Sequence, residues 1–292
     1  MPDADRDLPS GRIALRKGPG ARDALLPATV AALLLGGVDG SIPAPGRRAD
    51  AASLDSPPRA DPFRDAEAHY RLGVALWERG EADAAIAEYR RAIRLKPDHA
   101  DAHNNLGVIL NSQGEVDAAI AEYRQAIRIN PEHLDARFDL GVILIAKGEA
   151  DAAIAEFRRV IRIEPDSAEA HFNLGVALTD KGDADAAVAE YRRAIRINPD
   201  FAEPHVNLGY VLMIGGKLDA AIAEQRLAIG IKPDLAEAHL YLGIALSARK
   251  EADAAIAAYR EAVRLDPDHA DAHNHLAAAL VDKGEADAAI AE

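Results

Sequence analysis

The chain has 292 residues, contains no cysteine and carries a formal net charge of −14. The absence of cysteine excludes disulfides, thiolate catalysis and cysteine-ligated zinc. Residues 1–65 are neutral, so the acidic excess lies in the rest of the chain, where 39 acidic residues stand against 25 basic ones. Such a surface repels phosphate backbones and anionic lipids, which argues against nucleic acid as a partner.

Residues 1–65 carry no repeat and are expected to form an unstructured N-terminal tail or linker. Residues 44–62 are rich in Pro, Ala and Asp, as flexible linkers are. The one apolar run, residues 24–38, is too short for a helix that crosses a bilayer, so no stable membrane span is expected. Two interpretations stay open: a cytoplasmic protein with a disordered tail, or an exported one in which residues 1–40 are a signal peptide.

The next segment, residues 66–99, predicts two helices joined by a turn. Leu72 and Leu76 lie at helical spacing on the first, helix A, and Gly80 is expected to end it. Pro97 prevents the second, helix B, from continuing. Between these two points the apolar residues of helix B recur at spacings of three and four: Ala85, Ile86, Tyr89, Ala92 and Ile93.

Small and acidic residues of this segment have predicted structural roles. Gly73, Ala85 and Ala92 are expected to lie where the two helices cross, because small side chains let the backbones approach closely. Asp98 and Asp101 lie three residues apart, a relative of the capping box. They are expected to cap the following helix A and to place negative charge at the positive end of its dipole.

This two-helix segment is the first unit of a repeat with a period of 34 residues. Pro97, for example, recurs at Pro131 and Pro165, and Leu72 recurs at Leu106 and Leu140. No unit can bury its apolar face alone, so neighbouring units must stack. The full units are residues 66–99, 100–133, 134–167, 168–201, 202–235 and 236–269, with a truncated seventh at 270–292.

The order of residues within a unit resembles the tetratricopeptide repeat family: Leu-Gly, then Leu, Ala, Tyr or Phe, Ala and Pro. The resemblance covers residues 66–292. It implies an all-α fold, a right-handed superhelical solenoid of helix-turn-helix repeats with a concave groove lined by helix A. It also implies a scaffold for protein–protein interaction rather than an enzyme. Histidine fills the fourth position of most units and is expected to replace the large aromatic residue that the family often has there.

The sixth position of each unit faces the groove in this family and supplies the candidate peptide-binding row. Three asparagines in register form a partial ladder, and an amide can both donate to and accept from the backbone of an extended peptide. Similar ladders hold peptide substrates in the repeats of O-linked N-acetylglucosamine transferases. The alternative interpretation is a merely solvated polar groove. The row consists of Arg71, Asn105, Asp139, Asn173, Asn207, Tyr241 and His275.

Three other kinds of site receive little support from the residues. A carboxylate clamp, which in this family grips the C-terminal tails of chaperones, needs Lys and Arg on the inner faces. The second position is instead acidic in every unit, from Glu67 to Asp271. The ten histidines are not joined by a fixed set of carboxylates that would complete a metal site. No P-loop or nucleophile elbow is present, so no catalytic residue, metal or cofactor is expected.

The last unit stops at Glu292, inside its helix B, without the polar capping helix with which solenoids normally finish. We therefore expect this unit to fray or to associate with another chain. The stop also leaves a second function open. In that interpretation the repeats are the substrate-binding arm of a larger enzyme similar to O-linked N-acetylglucosamine transferases, with its catalytic domain absent from this chain.

Overall fold

The computed structural model describes residues 62–285 and Ala289, which form thirteen α-helices and no strand. Residues 1–61, with the apolar run at 24–38, lie outside the described residues, as does most of the seventh helix B. The helices A are α1 Pro62–Glu78, α3 Ala100–Ser112, α5 Leu134–Ala146, α7 Ala168–Lys181, α9 Ala202–Ile214, α11 Ala236–Ala248 and α13 Ala270–Lys283. The helices B are α2 Ala82–Leu95, α4 Val116–Ile129, α6 Ala150–Ile163, α8 Ala184–Ile197, α10 Leu218–Ile231 and α12 Ala252–Leu265.

Each helix packs against the next one in the chain, so every unit contacts the unit before it and the unit after it. The helices A of neighbouring units also contact one another, as α3 does with α5 and α9 with α11. In a curved stack the inner layer is the more closely spaced one, so the helices A line the concave surface. The prediction of an all-α repeat solenoid is confirmed.

A glycine and an aromatic ring form the crossing of helices A and B. A Cβ atom on Gly175 would lie 2.6 Å from Cε1 of Tyr191, and one on Gly141 would lie 2.7 Å from Cζ of Phe157. Both distances are below van der Waals contact, so each ring lies directly on the backbone of helix A. Tyr191 is 1% exposed and Phe157 is fully buried. A Cβ atom on Gly73 would likewise lie 2.7 Å from Cε1 of Tyr89, so the prediction that Gly73 lies at this crossing is confirmed.

Helix A ends with a residue in the left-handed backbone conformation. Gly80 has a φ of 77°, as predicted for a helix-ending glycine. The sixth unit has Lys250 at the same position, with a φ of 66°. A residue with a Cβ atom pays about 1 kcal/mol for that conformation, so the sixth unit has the most strained turn of this kind among the described units.

At the start of helix A, the structure shows that the predicted capping residue is wrong. The N-cap of α3 is His99, whose Nδ1 accepts a hydrogen bond from the Ala102 N–H at 3.4 Å. Asp98 instead lies in the preceding turn, which closes when the His99 N–H donates to the Lys96 carbonyl at 3.1 Å. The cap therefore falls one residue later than expected. Asp101 does lie in the first turn of α3, where its charge suits the helix dipole.

A polar pair joins helix A to helix B in each of the first five units. His103 shows the pattern: its Nδ1 lies 2.5 Å from Glu122 Oε2, and its Nε2 lies 3.3 Å from the carbonyl oxygen of Pro97. His103 and His171 therefore do more than replace a packing aromatic, because their ring nitrogens contact both helix B and the preceding turn. The pairs are His69–Glu88, His103–Glu122, Arg137–Glu156, His171–Glu190 and His205–Glu224.

Glu122→Ala should lower the free energy of unfolding by about 1–3 kcal/mol, because it leaves a buried His103 donor without its acceptor. Denaturant unfolding of the two proteins measures the loss. The control is Gln125→Ala on the exposed face of α4, which should change stability by less than about 0.5 kcal/mol. Equal effects of the two substitutions would show that the pair does not stabilise the unit.

The sixth unit offers the converse experiment. Ala258 stands where the other units have glutamate, and His239 keeps only its bond to the Pro233 carbonyl, at 3.0 Å. Ala258→Glu should supply the missing acceptor and raise the melting temperature. The gain should disappear in the double variant Ala258→Glu, His239→Ala.

Candidate peptide-binding groove

Most of the sixth-position residues lie where two units meet. Each belongs to a helix A. In four cases, the residue sixteen positions earlier lies beside it, and this residue belongs to helix B of the preceding unit. Asn105 Nδ2 donates to the Tyr89 hydroxyl at 3.4 Å. The other three pairs are Asp139 with Tyr123, Asn207 with Tyr191, and His275 with Tyr259.

The amide of Asn105 is already occupied. Its Nδ2 lies 3.4 Å from the hydroxyls of both Tyr70 and Tyr89, and its Oδ1 accepts from Asn104 Nδ2 at 3.3 Å. Burial raises the pKa of Tyr89 to about 12, so its hydroxyl stays protonated at physiological pH. Asn105 therefore holds two units together before any peptide arrives.

Asn207 is also engaged within the protein. It is 2% exposed, and its amide lies close enough to the Tyr191 hydroxyl to lower the pKa of that hydroxyl. Its Oδ1 is buried and has no hydrogen-bond partner among the described residues. A peptide could reach this side chain only after its neighbours had moved.

Asn173 differs because the preceding unit has Phe157 in place of tyrosine. Without a hydroxyl to bind, Nδ2 of Asn173 turns back to the Glu169 carbonyl of its own helix, at 2.9 Å. Its Oδ1 has no hydrogen-bond partner among the described residues, and the side chain is only half-buried. Of the three asparagines, Asn173 therefore has the most accessible amide.

Asp139 is a half-buried carboxylate between the second and third units. Burial raises the pKa of this carboxyl to about 7, and the charge of Asp135 adds to the rise. His133 and a hydrogen bond from the Tyr123 hydroxyl act in the opposite direction. No cation pairs with Asp139 in the described part of the chain, so its charge is not compensated.

The two ends of the row are unlike its middle. Arg71 is exposed, and its Nε donates to Glu67 Oε1 one turn earlier, at 2.8 Å. Tyr241 packs on Tyr210 with ring centroids 5.2 Å apart. His275 stacks on the ring of Tyr259 at 5.6 Å, and burial against it lowers the pKa of the imidazole.

Several of the second-position acids are paired with cations or histidines. Asp101 Oδ1 lies 3.2 Å from His133 Nε2, and this close contact lowers the pKa of the carboxyl. Glu203 lies 3.5 Å from Lys232 Nζ. These acids contribute contacts between the start and the end of their own units, in addition to their charge at the helix start.

Models of a known repeat family match most of the described chain. The family described as tetratricopeptide repeat matches residues 59–100, 70–133, 112–168, 138–202 and 180–236, and the one described as TPR repeat matches residues 245–284. The chain belongs to the tetratricopeptide repeat (TPR) family. The predicted family is thereby confirmed, and the chain is a TPR scaffold of the kind that binds protein partners. The closer resemblance to O-linked N-acetylglucosamine transferases stays a prediction.

Solved TPR structures share this fold. PilF of Pseudomonas aeruginosa has a TM-score of 0.62 and 19% identity, over 73% of this chain and 97% of its own. YrrB, described as a TPR protein with an unusual peptide-binding site, has a TM-score of 0.52 and 22% identity, over 63% and 95%. MamA has a TM-score of 0.51 and 26% identity, over 56% and 95%. No curated protein matches the chain at significant sequence similarity.

The described TPR units contain neither a metal-binding cluster nor a membrane-spanning helix. No group of three or more histidines and carboxylates within residues 62–285 is placed to hold a metal ion. None of the helices described is long and apolar enough to cross a membrane.

Sequence reasoning missed the tyrosine hydroxyls that decide which row residues are accessible. The sequence does contain this difference, because one position of the repeat holds Tyr89, Tyr123 and Tyr191 but has Phe157 in the third unit. Its meaning depends on a contact between units, which the pattern within one unit does not reveal.

Proposed function

We propose that the chain is a protein-interaction scaffold that binds an extended peptide along the concave surface of its helices A. The proposal rests on the hydrogen bonding of the Asn173 side chain. Its amide lies in the middle of the row and is held only by one bond to a carbonyl of its own helix. A peptide backbone offers alternating donors and acceptors that such an amide can bind.

Replacing an internal hydrogen bond with one to a peptide should cost less free energy at Asn173 than at the other two asparagines. Asn173 would trade its bond to Glu169 for one to a peptide carbonyl, and would gain a partner for Oδ1, so nothing polar is left unpaired. Asn105 and Asn207 would first have to release the tyrosine hydroxyls of Tyr89 and Tyr191, at a cost of about 1–3 kcal/mol for a buried group left without a partner. Asn173 is therefore the residue of the row that we expect to contact peptide backbone first.

Replacing Asn173 with Ala should weaken peptide binding about tenfold, the effect of one lost pair of hydrogen bonds. Peptides selected from a random dodecapeptide library on the full chain supply the ligand, and fluorescence anisotropy measures its affinity. The single substitution is preferable to a triple change at Asn105, Asn173 and Asn207, because removing the other two also breaks contacts between units.

The control for this experiment is Arg192→Ala, an exposed residue of α8 on the opposite layer, which should leave the affinity unchanged. A selected peptide that binds Asn173→Ala as well as the wild type but loses affinity for Arg192→Ala would place recognition on the helices B. That outcome would contradict the proposed groove.

Three finer expectations remain proposals. The repeats could serve as the substrate-binding arm of a larger enzyme, which the downstream coding sequence would reveal. Self-association through the last unit should appear as a concentration-dependent mass in light scattering. The N-terminal residue of the mature protein decides between a cytoplasmic chain and one exported by residues 1–40.

A further inference from the structure

One face of α1 exposes apolar residues that are buried in the later units. Leu72 is 49% exposed, whereas the leucines at the same repeat position of the second to fifth units are 1–3% exposed. Ala68 and Ala75 are exposed as well, although their counterparts in the second unit, Ala102 and Ile109, are fully buried. Spacings of three and four residues place the side chains of Ala68, Leu72 and Ala75 on one face of the helix. These three residues form the α1 stripe.

In the later units this face is covered by the preceding unit. Each later helix A packs against helix B of the unit before it, as α3 does against α2. Among the residues that the structure describes, no helix precedes α1. The α1 stripe is therefore one half of an interface that repeats along the stack, and its other half would be a helix packed on the N-terminal side of α1.

The chain before α1 contains a segment of matching character. Residues 24–38 have the sequence ALLPATVAALLLGGV, which is apolar and has no charged side chain. Pro27 suits the first position of a helix, the alanines and leucines that follow favour a helix, and Gly36 favours its end. A helix over residues 27–35 would be about 13 Å long, whereas the α1 stripe extends over about 10 Å. The segment is therefore long enough to cover the stripe.

The connection between this segment and α1 allows it to reach the stripe. Residues 39–61, 23 in all, join the segment to Pro62, the first residue of α1. Fully extended, they would span about 75 Å, three times the length of about 25 Å of α1, so the segment can lie along the helix in either direction. A tether this short gives an effective concentration on the order of millimolar, which favours the chain's own segment over that of a second copy.

We infer that residues 24–38 pack as a helix on the α1 stripe and close the N-terminal end of the stack. Contact of Leu33, Leu34 or Leu35 with Leu72 removes apolar surface of both helices from water, and this is the driving force. The segment takes the place that helix B of a preceding unit would have, and it keeps the apolar end of the stack from associating with other chains. The inference is independent of the proposed peptide binding, because no residue of the α1 stripe belongs to the sixth-position row.

Hydrogen exchange of the full-length chain, followed by mass spectrometry, tests this packing. The wild type is compared with Leu72→Asp and with Leu95→Asp, a control that makes the same change at another exposed leucine of the first unit, at the end of α2. Amides of residues 28–35 should exchange at least about tenfold more slowly than in an unstructured chain, both in the wild type and in Leu95→Asp. This protection should be lost in Leu72→Asp, because burying an unpaired carboxylate is unfavourable. Unchanged protection of α3 and the later helices shows that each variant is folded.

A cross-linking experiment tests whether the contact lies within one chain. Because the chain has no cysteine, the double variant Leu34→Cys, Leu72→Cys places one thiol on the segment and one on the α1 stripe. A short bis-maleimide should link these two thiols within a monomer. The reaction should be about tenfold slower in the control Leu34→Cys, Leu95→Cys, whose second thiol lies off the stripe.

Three results would overturn the inference. The first is exchange of residues 28–35 at the rate of an unstructured chain, or protection that survives in Leu72→Asp. The second is a cross-linked dimer together with protection that rises with protein concentration, which would assign the α1 stripe to the segment of a second copy. The third is a mature protein that begins after residue 38. None of these results bears on peptide binding at Asn173, so the two proposals can fail separately.

Discussion

Asp139→Asn should stabilise the protein at pH 8 and leave its stability nearly unchanged at pH 4. Burial raises the pKa of this carboxyl from an ordinary value of 3.8 to about 7 in the folded protein. The folded state therefore holds the proton to higher pH than the unfolded chain does. The stability that this proton contributes is complete below about pH 4, is lost as the pH rises toward 7, and is absent above it.

The size of the stabilisation by Asp139→Asn follows from the same pKa shift. At 1.36 kcal/mol per pKa unit, ionisation of Asp139 costs the folded state about 2–4 kcal/mol at pH 8. Asparagine keeps the shape of the side chain without the charge, and the second unit already has Asn105 bonded to a tyrosine hydroxyl at this position. The variant should therefore keep the contact between the second and third units.

Chemical denaturation at pH 4, 6 and 8 measures this difference. The control is Asp185→Asn, an exposed residue in the first turn of α8, which should change stability by less than about 1 kcal/mol at each pH. A gain from Asp139→Asn that is equal at all three values would show that the carboxyl titrates alike in the folded and unfolded states, and would contradict the prediction.

Gly175→Ala should lower the free energy of unfolding by about 1–3 kcal/mol, the usual cost of overpacking a core. The new Cβ atom would lie 2.6 Å from Cε1 of Tyr191 and 2.7 Å from its Cδ1. Tyr191 is 1% exposed and its hydroxyl bonds Thr179 at 3.0 Å, so the ring cannot move aside without breaking other contacts.

Gly230→Ala in α10 is the matched control. A Cβ atom there meets nothing within 4 Å, so the substitution should stabilise its helix by about 0.5–1 kcal/mol through higher helix propensity. Tyr191→Leu should recover part of the loss when it is combined with Gly175→Ala, which a double-mutant cycle measures. If Gly175→Ala and Gly230→Ala both stabilised the protein, the ring would not lie on the helix as described.

Much of the fold could be predicted because its determinants are local. Gly80 and Pro97 end their helices by effects that involve only neighbouring residues, and the period of 34 follows from counting. The capping prediction failed at a finer scale. Asp98 is a good cap by residue type, but the turn closes one residue later and gives that place to His99.

The candidate site was only half predictable. Counting along the repeat was enough to identify the residues at the sixth position of each unit. The stacking of the units was needed to show that Asn105 and Asn207 lie against tyrosine hydroxyls while Asn173 does not. The reason is that these contacts join residues of different units, and a side chain's accessibility depends on the neighbour that stacking brings to it.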